Sequence, residues 1–279
     1  MCELLGMVAS HPADVAFSFS GFAERGGKTG PHADGWGLSL YDGNFAHTFL
    51  ENHPAYSSSL ARFLSENPIL TRLAVAHIRK MTRGVASIQN THPFVRVWQG
   101  RHIVFAHNGT LPKVKERALR YESVLGDTDS EYAFCVMLET LREAYGSRYP
   151  ASPDELGKTL FELGNQLGND GIMNFLLADG EHLYARCGDS LYRAERHRLE
   201  QHATLGDAEV KLELGDVLGP SDDSRMAVVA TAPLPHDQDW IKAAPGTLWV
   251  FSKGELCATF DPPPGYRPPI KKPPVWLPS

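Results

Sequence analysis

Cysteine is scarce in this 279-residue sequence, and the arrangement of its four cysteines excludes several classes of protein. The spacing contains no CxxC pair and no zinc-finger pattern, and the twelve histidines include no HExxH motif. A disulfide scaffold and a recognisable metal site are therefore not expected, and we predict neither metal nor cofactor. Widely separated cysteines fit a reducing compartment such as the cytoplasm. They stand at Cys2, Cys135, Cys187 and Cys257.

Long apolar runs are also missing. None approaches the roughly 18 residues that a membrane-spanning helix needs. The apolar run near the start is preceded by Glu3 and ends after Val8, which does not fit a signal peptide. Acidic residues outnumber basic ones, 33 to 27, so the chain has no general attraction for nucleic acid or anionic lipid. We expect a soluble, cytoplasmic protein that binds neither nucleic acid nor membrane.

Short apolar runs bounded by glycine, asparagine and aspartate recur along the chain and predict strands. Three pairs of these runs are joined by Asp-Gly or Lys-Gly dipeptides at hairpin spacing, which favours antiparallel pairing over βαβ units. The predicted strands cover residues 37–41, 45–50, 73–78, 103–106, 172–178, 182–185, 226–230, 248–251 and 256–260.

Helices are fewer. One-sided apolar spacing predicts them at residues 13–25, 57–66, 129–146 and 153–166. Thr128 and Glu131 have the spacing of a capping box in front of the third. Each helix has one apolar face suited to covering a sheet, so the sequence predicts a layered α+β fold.

The C-terminal residues 261–279 form a biased segment, in which eight of nineteen residues are proline. Such a segment cannot continue a sheet. We therefore predict one domain over residues 1–260 and a proline-rich tail over 261–279. The tail fits a linker or a surface strap, and the alternative is a polyproline II segment that recruits a partner.

Position 2 gives a cysteine unusual chemistry. If Met1 is removed, Cys2 carries both a thiol and a free α-amino group, whose reference pKa of about 7.7 to 8.0 suits a general base. The amine could then accept the thiol proton directly or through water. Without such processing, a cysteine near a terminus is an ordinary small apolar residue. The other three cysteines lie in apolar helix or strand contexts, where a buried thiol acts as a small hydrophobe.

Three further signals are ambiguous when each is taken alone. Asn108 and Gly109 follow a predicted strand and could donate to an oxyanion, but Asn-Gly after a strand is also a favoured turn. Arg79 could bind a carboxylate or lie in solvent. Asp129 is adequately explained by the start of a helix.

The order of these motifs resembles the class II (N-terminal nucleophile) glutamine amidotransferases, and in particular their YafJ-type, stand-alone members. The likeness in length and strand order runs to about Phe260, and the proline-rich tail matches no feature of the family. The motifs are MCELLG at residues 1–6, HADGWG at 32–37, AHIR at 76–79, NTHPF at 90–94, AHNG at 106–109 and TDSE at 128–131.

The resemblance implies a four-layer αββα sandwich of two antiparallel sheets flanked by helices. It also implies a catalytic set in which Cys2 is the nucleophile, its own α-amino group is the general base, and Asn108 with the Gly109 N–H forms the oxyanion hole.

For substrate binding, the resemblance implies that Arg79 binds the α-carboxylate of glutamine and Asp129 its α-ammonium group. Thr82 is a further candidate contact for the carboxylate. Three histidines match signature positions of the family for which structural support of the site is implied. They are His77, His92 and His107.

The implied reaction is hydrolysis of the glutamine γ-amide through a Cys2 thioester, which releases glutamate and ammonia. The ammonia would pass to an acceptor, and a separate synthase subunit is the expected partner. A free-standing hydrolase of γ-glutamyl compounds in thiol metabolism is a second interpretation. The third is a non-catalytic scaffold or regulatory subunit that keeps the fold.

Overall fold

The computed structural model describes residues 2–81, 86–196, 224–234 and 239–268. Within these ranges the chain forms four α-helices and thirteen strands. The strands are β1 (Glu3–Asp14), β2 (Trp36–Asp42), β3 (Phe45–Glu51), β4 (Leu70–Ile78), β5 (Phe94–Trp98), β6 (Arg101–Thr110), β7 (Ile172–Ala178), β8 (His182–Arg186), β9 (Tyr192–Arg196), β10 (Met226–Ala230), β11 (Ile241–Lys242), β12 (Leu248–Ser252) and β13 (Glu255–Phe260). The helices are α1 (Ala16–Glu24), α2 (Ser59–Glu66), α3 (Asp129–Tyr145) and α4 (Pro153–Gly168).

The strands form two antiparallel sheets. The first has the order β11-β9-β10-β1-β4-β2-β3, and the second has the order β13-β12-β8-β7-β6-β5. All nine predicted strands are present, several of them longer than predicted. Four strands were not predicted, namely β1, β5, β9 and β11. The helix predicted over residues 13–25 begins only at Ala16, because Ala13 and Asp14 still pair with β4.

Three apolar layers show how the sheets and helices stack. The outer face of the first sheet packs on α1 and α2, with Phe19 and Trp36 among the buried side chains. The inner faces of the two sheets pack on each other, and Val75 of the first sheet and Leu176 of the second belong to one buried cluster. The outer face of the second sheet packs on α3 and α4. This arrangement confirms the predicted four-layer αββα sandwich.

Strand β1 lies in the middle of the first sheet, between β10 and β4. Its first half is buried on both faces, so its sequence is continuously apolar rather than alternating. Gly6 lets the second sheet come close, because a Cβ there would stand 2.7 Å from Leu183 Cδ2. Cys2 immediately precedes β1, and the central strand therefore fixes the direction in which the chain start approaches the site.

Two local predictions need correction. Thr128 Oγ1 accepts the Glu131 N–H at 3.1 Å, as in a capping box, but the Glu131 carboxylate accepts the N–H groups of Leu125 and Gly126. The predicted capping box is thus only half formed. Cys257 is exposed, so the expectation of a buried thiol holds for Cys135 and Cys187 but is wrong for this residue.

Parts of the predicted tail and one predicted site residue lie outside the described residues. These are residues 269–279 and Thr82. None of the helices in the described ranges combines the length and the hydropathy that a membrane span requires.

Candidate active site

The thiol of Cys2 lies against the backbone of Lys80. The Lys80 N–H donates to Sγ at 3.3 Å, and Sγ lies 3.5 Å from the Lys80 carbonyl oxygen. Burial raises the pKa of the Cys2 thiol, while the Lys80 N–H and the charge of Arg79 act in the opposite direction. Since burial dominates, the resting form is the protonated thiol, and nucleophilic attack requires a base that removes its proton.

The register of strands β1 and β4 places Arg79 near the Cys2 thiol. Antiparallel pairing sets Glu3 opposite Ile78, so the residue after β4 stands beside Cys2. The Arg79 backbone is fixed by hydrogen bonds to residues 34 and 35. Its side chain is buried, and Nη1 has no hydrogen-bond partner among the described residues. A buried guanidinium N–H without an acceptor is unfavourable, and a carboxylate would satisfy it.

Asn108 comes to Cys2 from the opposite sheet. Its Nδ2 donates to the Cys2 carbonyl oxygen at 2.5 Å, and its side chain is buried. This bond uses one of the two N–H groups of the amide and leaves the other for a second acceptor.

The turn interpretation of Asn108 and Gly109 is wrong. Both residues lie inside β6, where they pair with Asn174 and Met173 of β7. Gly109 is required by close contact, because a Cβ there would stand 1.8 Å from the Ile172 carbonyl oxygen. The pairing therefore places Asn108 and Gly109 on a rigid strand rather than a loop.

Asp129 is the first residue of α3, and it is half-buried. Its Oδ2 accepts the Leu111 N–H at 2.6 Å, and Leu111 directly follows β6. The helix start is thus attached to the end of the strand that carries Asn108 and Gly109. The structure therefore brings Cys2, Arg79 and Asn108 together directly, and ties Asp129 to the same strand end.

The three signature histidines lie behind the site and are buried. The rings of His77 and His92 are in contact, with centroids 4.2 Å apart and planes tilted by 35°. Burial, reinforced by the Arg79 charge, lowers the pKa of His77 to about 3, and burial lowers the pKa of His92 and His107 as well. His107 Nδ1 is hydrogen-bonded to Ser130 Oγ at 2.8 Å. Such weakly basic imidazoles do not suit the role of general base, which agrees with a supporting role.

Several neighbours of the site were not predicted. Asp34 Oδ2 accepts the Met81 N–H at 2.8 Å, which fixes the segment after Arg79. Thr231 Oγ1 accepts the Leu4 N–H at 3.1 Å, and the Thr231 N–H donates to the Leu4 carbonyl. Asp34 falls in the HADGWG motif, which could have drawn attention to it, whereas Thr231 follows β10 without any local signal.

An ion pair also anchors Glu3, the residue next to Cys2. Arg25 Nη1 lies 2.9 Å from Glu3 Oε2, and Arg25 Nη2 donates to the Pro233 carbonyl at 2.6 Å.

Among the described residues, no group of histidine, cysteine, aspartate or glutamate side chains has a geometry that could hold a metal ion. The side chains placed at the site supply a thiol, an amide, a guanidinium and a carboxylate.

Comparison with curated proteins identifies relatives over most of the chain. The Escherichia coli (strain K12) protein named "Putative glutamine amidotransferase YafJ" is 39% identical over 258 residues, covering 91% of this chain and 99% of that protein. A Haemophilus influenzae protein named "Putative glutamine amidotransferase" is 34% identical over 265 residues, covering 92% and 86% respectively.

Solved structures agree with the fold. A Pseudomonas aeruginosa PA01 protein titled a "predicted glutamine amidotransferase" matches with a TM-score of 0.71 and 29% identity, covering 92% of this chain and 100% of that one. The glutamine phosphoribosylpyrophosphate amidotransferase of B. subtilis matches with a TM-score of 0.59 and 14% identity, covering 93% of this chain and 49% of that one. At this identity the second match shows the fold alone.

The family described as "Glutamine amidotransferases class-II" matches residues 1–273. This match runs past residue 260, and the domain boundary there stays a prediction. Together with the relatives above 30% identity, it establishes that the chain belongs to the class II glutamine amidotransferases.

Proposed function

We propose that the protein hydrolyses the γ-amide of glutamine and releases glutamate and ammonia, with Cys2 as nucleophile after removal of Met1. The observation that carries the proposal is the convergence of three groups. The Cys2 thiol, the Asn108 amide and a buried Arg79 guanidinium nitrogen meet at one end of the sandwich, and this nitrogen has no partner among the described residues.

In the first step, the α-amino group of Cys2 takes the thiol proton, and sulfur attacks the γ-carbonyl carbon. The remaining N–H of the Asn108 amide and the Gly109 N–H bind the oxyanion of the tetrahedral intermediate. The intermediate expels ammonia, which receives the proton held by the amine, and leaves a thioester on sulfur. Water, deprotonated by the same amine, then attacks the thioester and releases glutamate.

The substrate is held by its α-carbon end. Arg79 pairs with the α-carboxylate, which supplies the acceptor that Nη1 lacks, and Asp129 pairs with the α-ammonium group. Thr82 is proposed as a second carboxylate contact. Opposite charges on the two protein groups match the zwitterion of a free amino acid and fix which end of glutamine faces Cys2.

We further propose that a separate acceptor subunit receives the ammonia, and that the protein works in the cytoplasm, where a nucleophilic thiol stays reduced. Copurification with a stoichiometric partner that consumes ammonia would support the first point. Faster cleavage of γ-glutamyl peptides than of glutamine by the isolated chain would contradict it.

The direct test combines intact mass with two assays. We expect the purified protein to lack Met1, to release ammonia from glutamine, and to react with a glutamine-like electrophile at Cys2. Retention of Met1 in a fully active enzyme would rule out the α-amino group as base. Labelling at Cys135, Cys187 or Cys257 instead would rule out Cys2 as nucleophile.

A further inference from the structure

Asn174 is a fully buried polar residue in the otherwise apolar strand β7. Its Nδ2 donates to the Asn108 carbonyl oxygen at 2.9 Å and to Asp189 Oδ1 at 2.7 Å. Its Oδ1 accepts the backbone N–H groups of Gly188, Asp189 and Ser190, at 2.8, 3.0 and 3.2 Å. Both donors and the acceptor of the Asn174 amide are thus used. A buried polar group whose hydrogen bonds are all satisfied favours one arrangement of its neighbours.

On one side, Asn174 controls the strand of the proposed oxyanion hole. Asn174 and Asn108 lie opposite each other in the β6–β7 ladder. The Asn174 side chain holds the backbone carbonyl of Asn108, and the Asn108 side chain in turn holds the Cys2 carbonyl. Movement of Asn174 would therefore shift Asn108 relative to Cys2.

On the other side, Asn174 fixes the loop at residues 188–190. A Cβ on Gly188 would stand 2.7 Å from backbone atoms of Met173, so the loop lies directly on the β7 backbone. Ser190 Oγ donates to the Thr231 carbonyl at 3.4 Å. Thr231 exchanges two hydrogen bonds with Leu4, two residues after Cys2.

These contacts close a ring through both sheets, which we call the cross-sheet ring. It runs from Cys2 through Asn108, Asn174, the loop at residues 188–190 and Thr231 to Leu4, and back along the chain to Cys2. Apolar packing between the sheets is not directional, so it does not by itself set the position of Asn108 against Cys2. Hydrogen bonds are directional, so those of the cross-sheet ring can set this position.

We propose that Asn174 is a positioning residue for the Cys2 reaction: through the cross-sheet ring it sets the distance between the nucleophile on one sheet and the oxyanion donor on the other. This inference rests on the proposed glutamine hydrolysis. It predicts that Asn174 affects acylation by glutamine, which needs the oxyanion hole, and not alkylation of the thiol by a small reagent, which does not.

The test compares Asn174→Asp with Asn44→Asp, the same chemical change at an exposed position. Aspartate keeps an acceptor for the loop but loses both donors. We expect kcat for glutamine to fall by about 100-fold, the loss expected for a small misplacement of reacting groups. KM and the rate of Cys2 alkylation by iodoacetamide should stay within about threefold of the values of the unaltered protein. This limit is much smaller than the loss of kcat expected from misplaced reacting groups. Asn44→Asp should change none of these values.

A double variant provides rescue. In Asn174→Asp with Asp189→Asn, the amide at position 189 donates to the carboxylate at position 174, so this contact is restored with its direction reversed. The contact with the Asn108 carbonyl stays lost, so the rescue is partial. We expect kcat to recover by about tenfold over the single variant, as contacting residues do not behave additively. Equal kcat for Asn174→Asp and Asn44→Asp would overturn the inference. Loss of alkylation and of thermal stability in parallel with kcat would also overturn it, because it would show general unfolding.

A readout without substrate separates this inference from the proposed function. Asn174→Ala removes the acceptor of three loop N–H groups, so hydrogen exchange at residues 188–190 should accelerate by at least about tenfold, while α3 keeps its protection. Unchanged exchange would overturn the cross-sheet ring even in an active enzyme. If the unaltered protein releases no ammonia from glutamine but the exchange result holds, the proposed function fails and the ring stands.

Discussion

Two sets of buried polar groups, one at each end of the sandwich, differ in how far their hydrogen bonds are satisfied. At the Cys2 end, Arg79 Nη1 and both ring nitrogens of His77 and His92 have no hydrogen-bond partner among the described residues. At the other end of β7, the fully buried Asp179 accepts two backbone N–H groups, the Tyr149 hydroxyl at 2.6 Å and the His182 ring nitrogen at 3.3 Å. These groups at the Cys2 end leave hydrogen-bonding capacity open, whereas Asp179 uses its capacity.

The Asp179 end also joins the two sheets. Tyr41 of the first sheet places its hydroxyl 2.8 Å from the carbonyl oxygens of His102 and Ala178 in the second. Unpaired buried polar groups lower stability unless a ligand satisfies them, whereas saturated ones hold the fold. The difference indicates that the Asp179 cluster stabilises the sandwich, while the groups at the Cys2 end are available for the substrate that we propose.

The largest effect should come from Cys2→Ala. Loss of the nucleophile should reduce ammonia release by at least about 10⁴-fold, without lowering the melting temperature by more than a small core change would. Steady-state kinetics and thermal unfolding measure the two quantities. Cys257→Ala, at an exposed cysteine, is the matched control and should leave both unchanged. Residual turnover in Cys2→Ala above the background of the assay would contradict the assignment.

Arg79→Met should separate function from stability. Loss of charged hydrogen bonds to the α-carboxylate should raise KM for glutamine by about 10- to 100-fold. The melting temperature should stay the same or rise, because the change removes a buried nitrogen that has no partner in the described part of the chain. Kinetics and calorimetry on one preparation test both parts. A lower melting temperature with normal KM would reverse the roles that the comparison gives to the two ends.

Asp179→Asn should give the opposite result. The variant keeps the shape but places an amide nitrogen where a carboxylate oxygen accepted, so the free energy of unfolding should fall by about 1–3 kcal/mol. Activity at a temperature where the variant stays folded should be normal. Urea unfolding measures the first quantity, with Asp42→Asn at an exposed position as control. A drop in kcat larger than the loss of folded protein would mean that the Asp179 end contributes to catalysis.

The sequence identified more of the residues at the Cys2 end than at the Asp179 end. Motif order brought Cys2, Arg79 and Asn108 into one hypothesis, because each motif is local in the chain. The contact between Asn108 and Cys2 spans 106 positions and depends on how two sheets pack, which no local pattern encodes. Asn174 was visible only as one polar residue within a predicted apolar strand.

The fold shows the same division. Hairpin strands were predicted because their turns and apolar runs are local signals. β1 was missed, although it is the central strand that directly follows Cys2, because burial on both faces removes the alternation that identifies a strand. The helix predicted at residue 13 instead began after a strand, since pairing with β4 overrode local preference at Ala13 and Asp14.

The last predicted effect is a difference in the pH dependence of stability. His77 is fully buried and its pKa is lowered from about 6.5 to about 3, so between these values the unfolded chain binds a proton that the folded chain does not. Stability should therefore fall as pH drops through this window, by about 1.4 kcal/mol per pH unit from this one residue. Burial raises the pKa of Asp179, but its four hydrogen-bond donors outweigh this effect, so the pKa is lowered. The stability that Asp179 contributes is therefore lost only below about pH 3.9, the pKa of an unfolded aspartate.

The two ends should thus lose stability in different ranges of pH. Urea unfolding between pH 7 and pH 5, where carboxylates such as Asp179 stay ionised, isolates the histidine effect. His77→Phe, with a ring of similar size, should have a shallower slope than the unaltered protein, and His47→Phe at an exposed site should not. Equal slopes would mean that His77 is solvated in the folded protein. Its buried nitrogens would then have water partners, and the contrast between the two ends would rest on Arg79 and His92 alone.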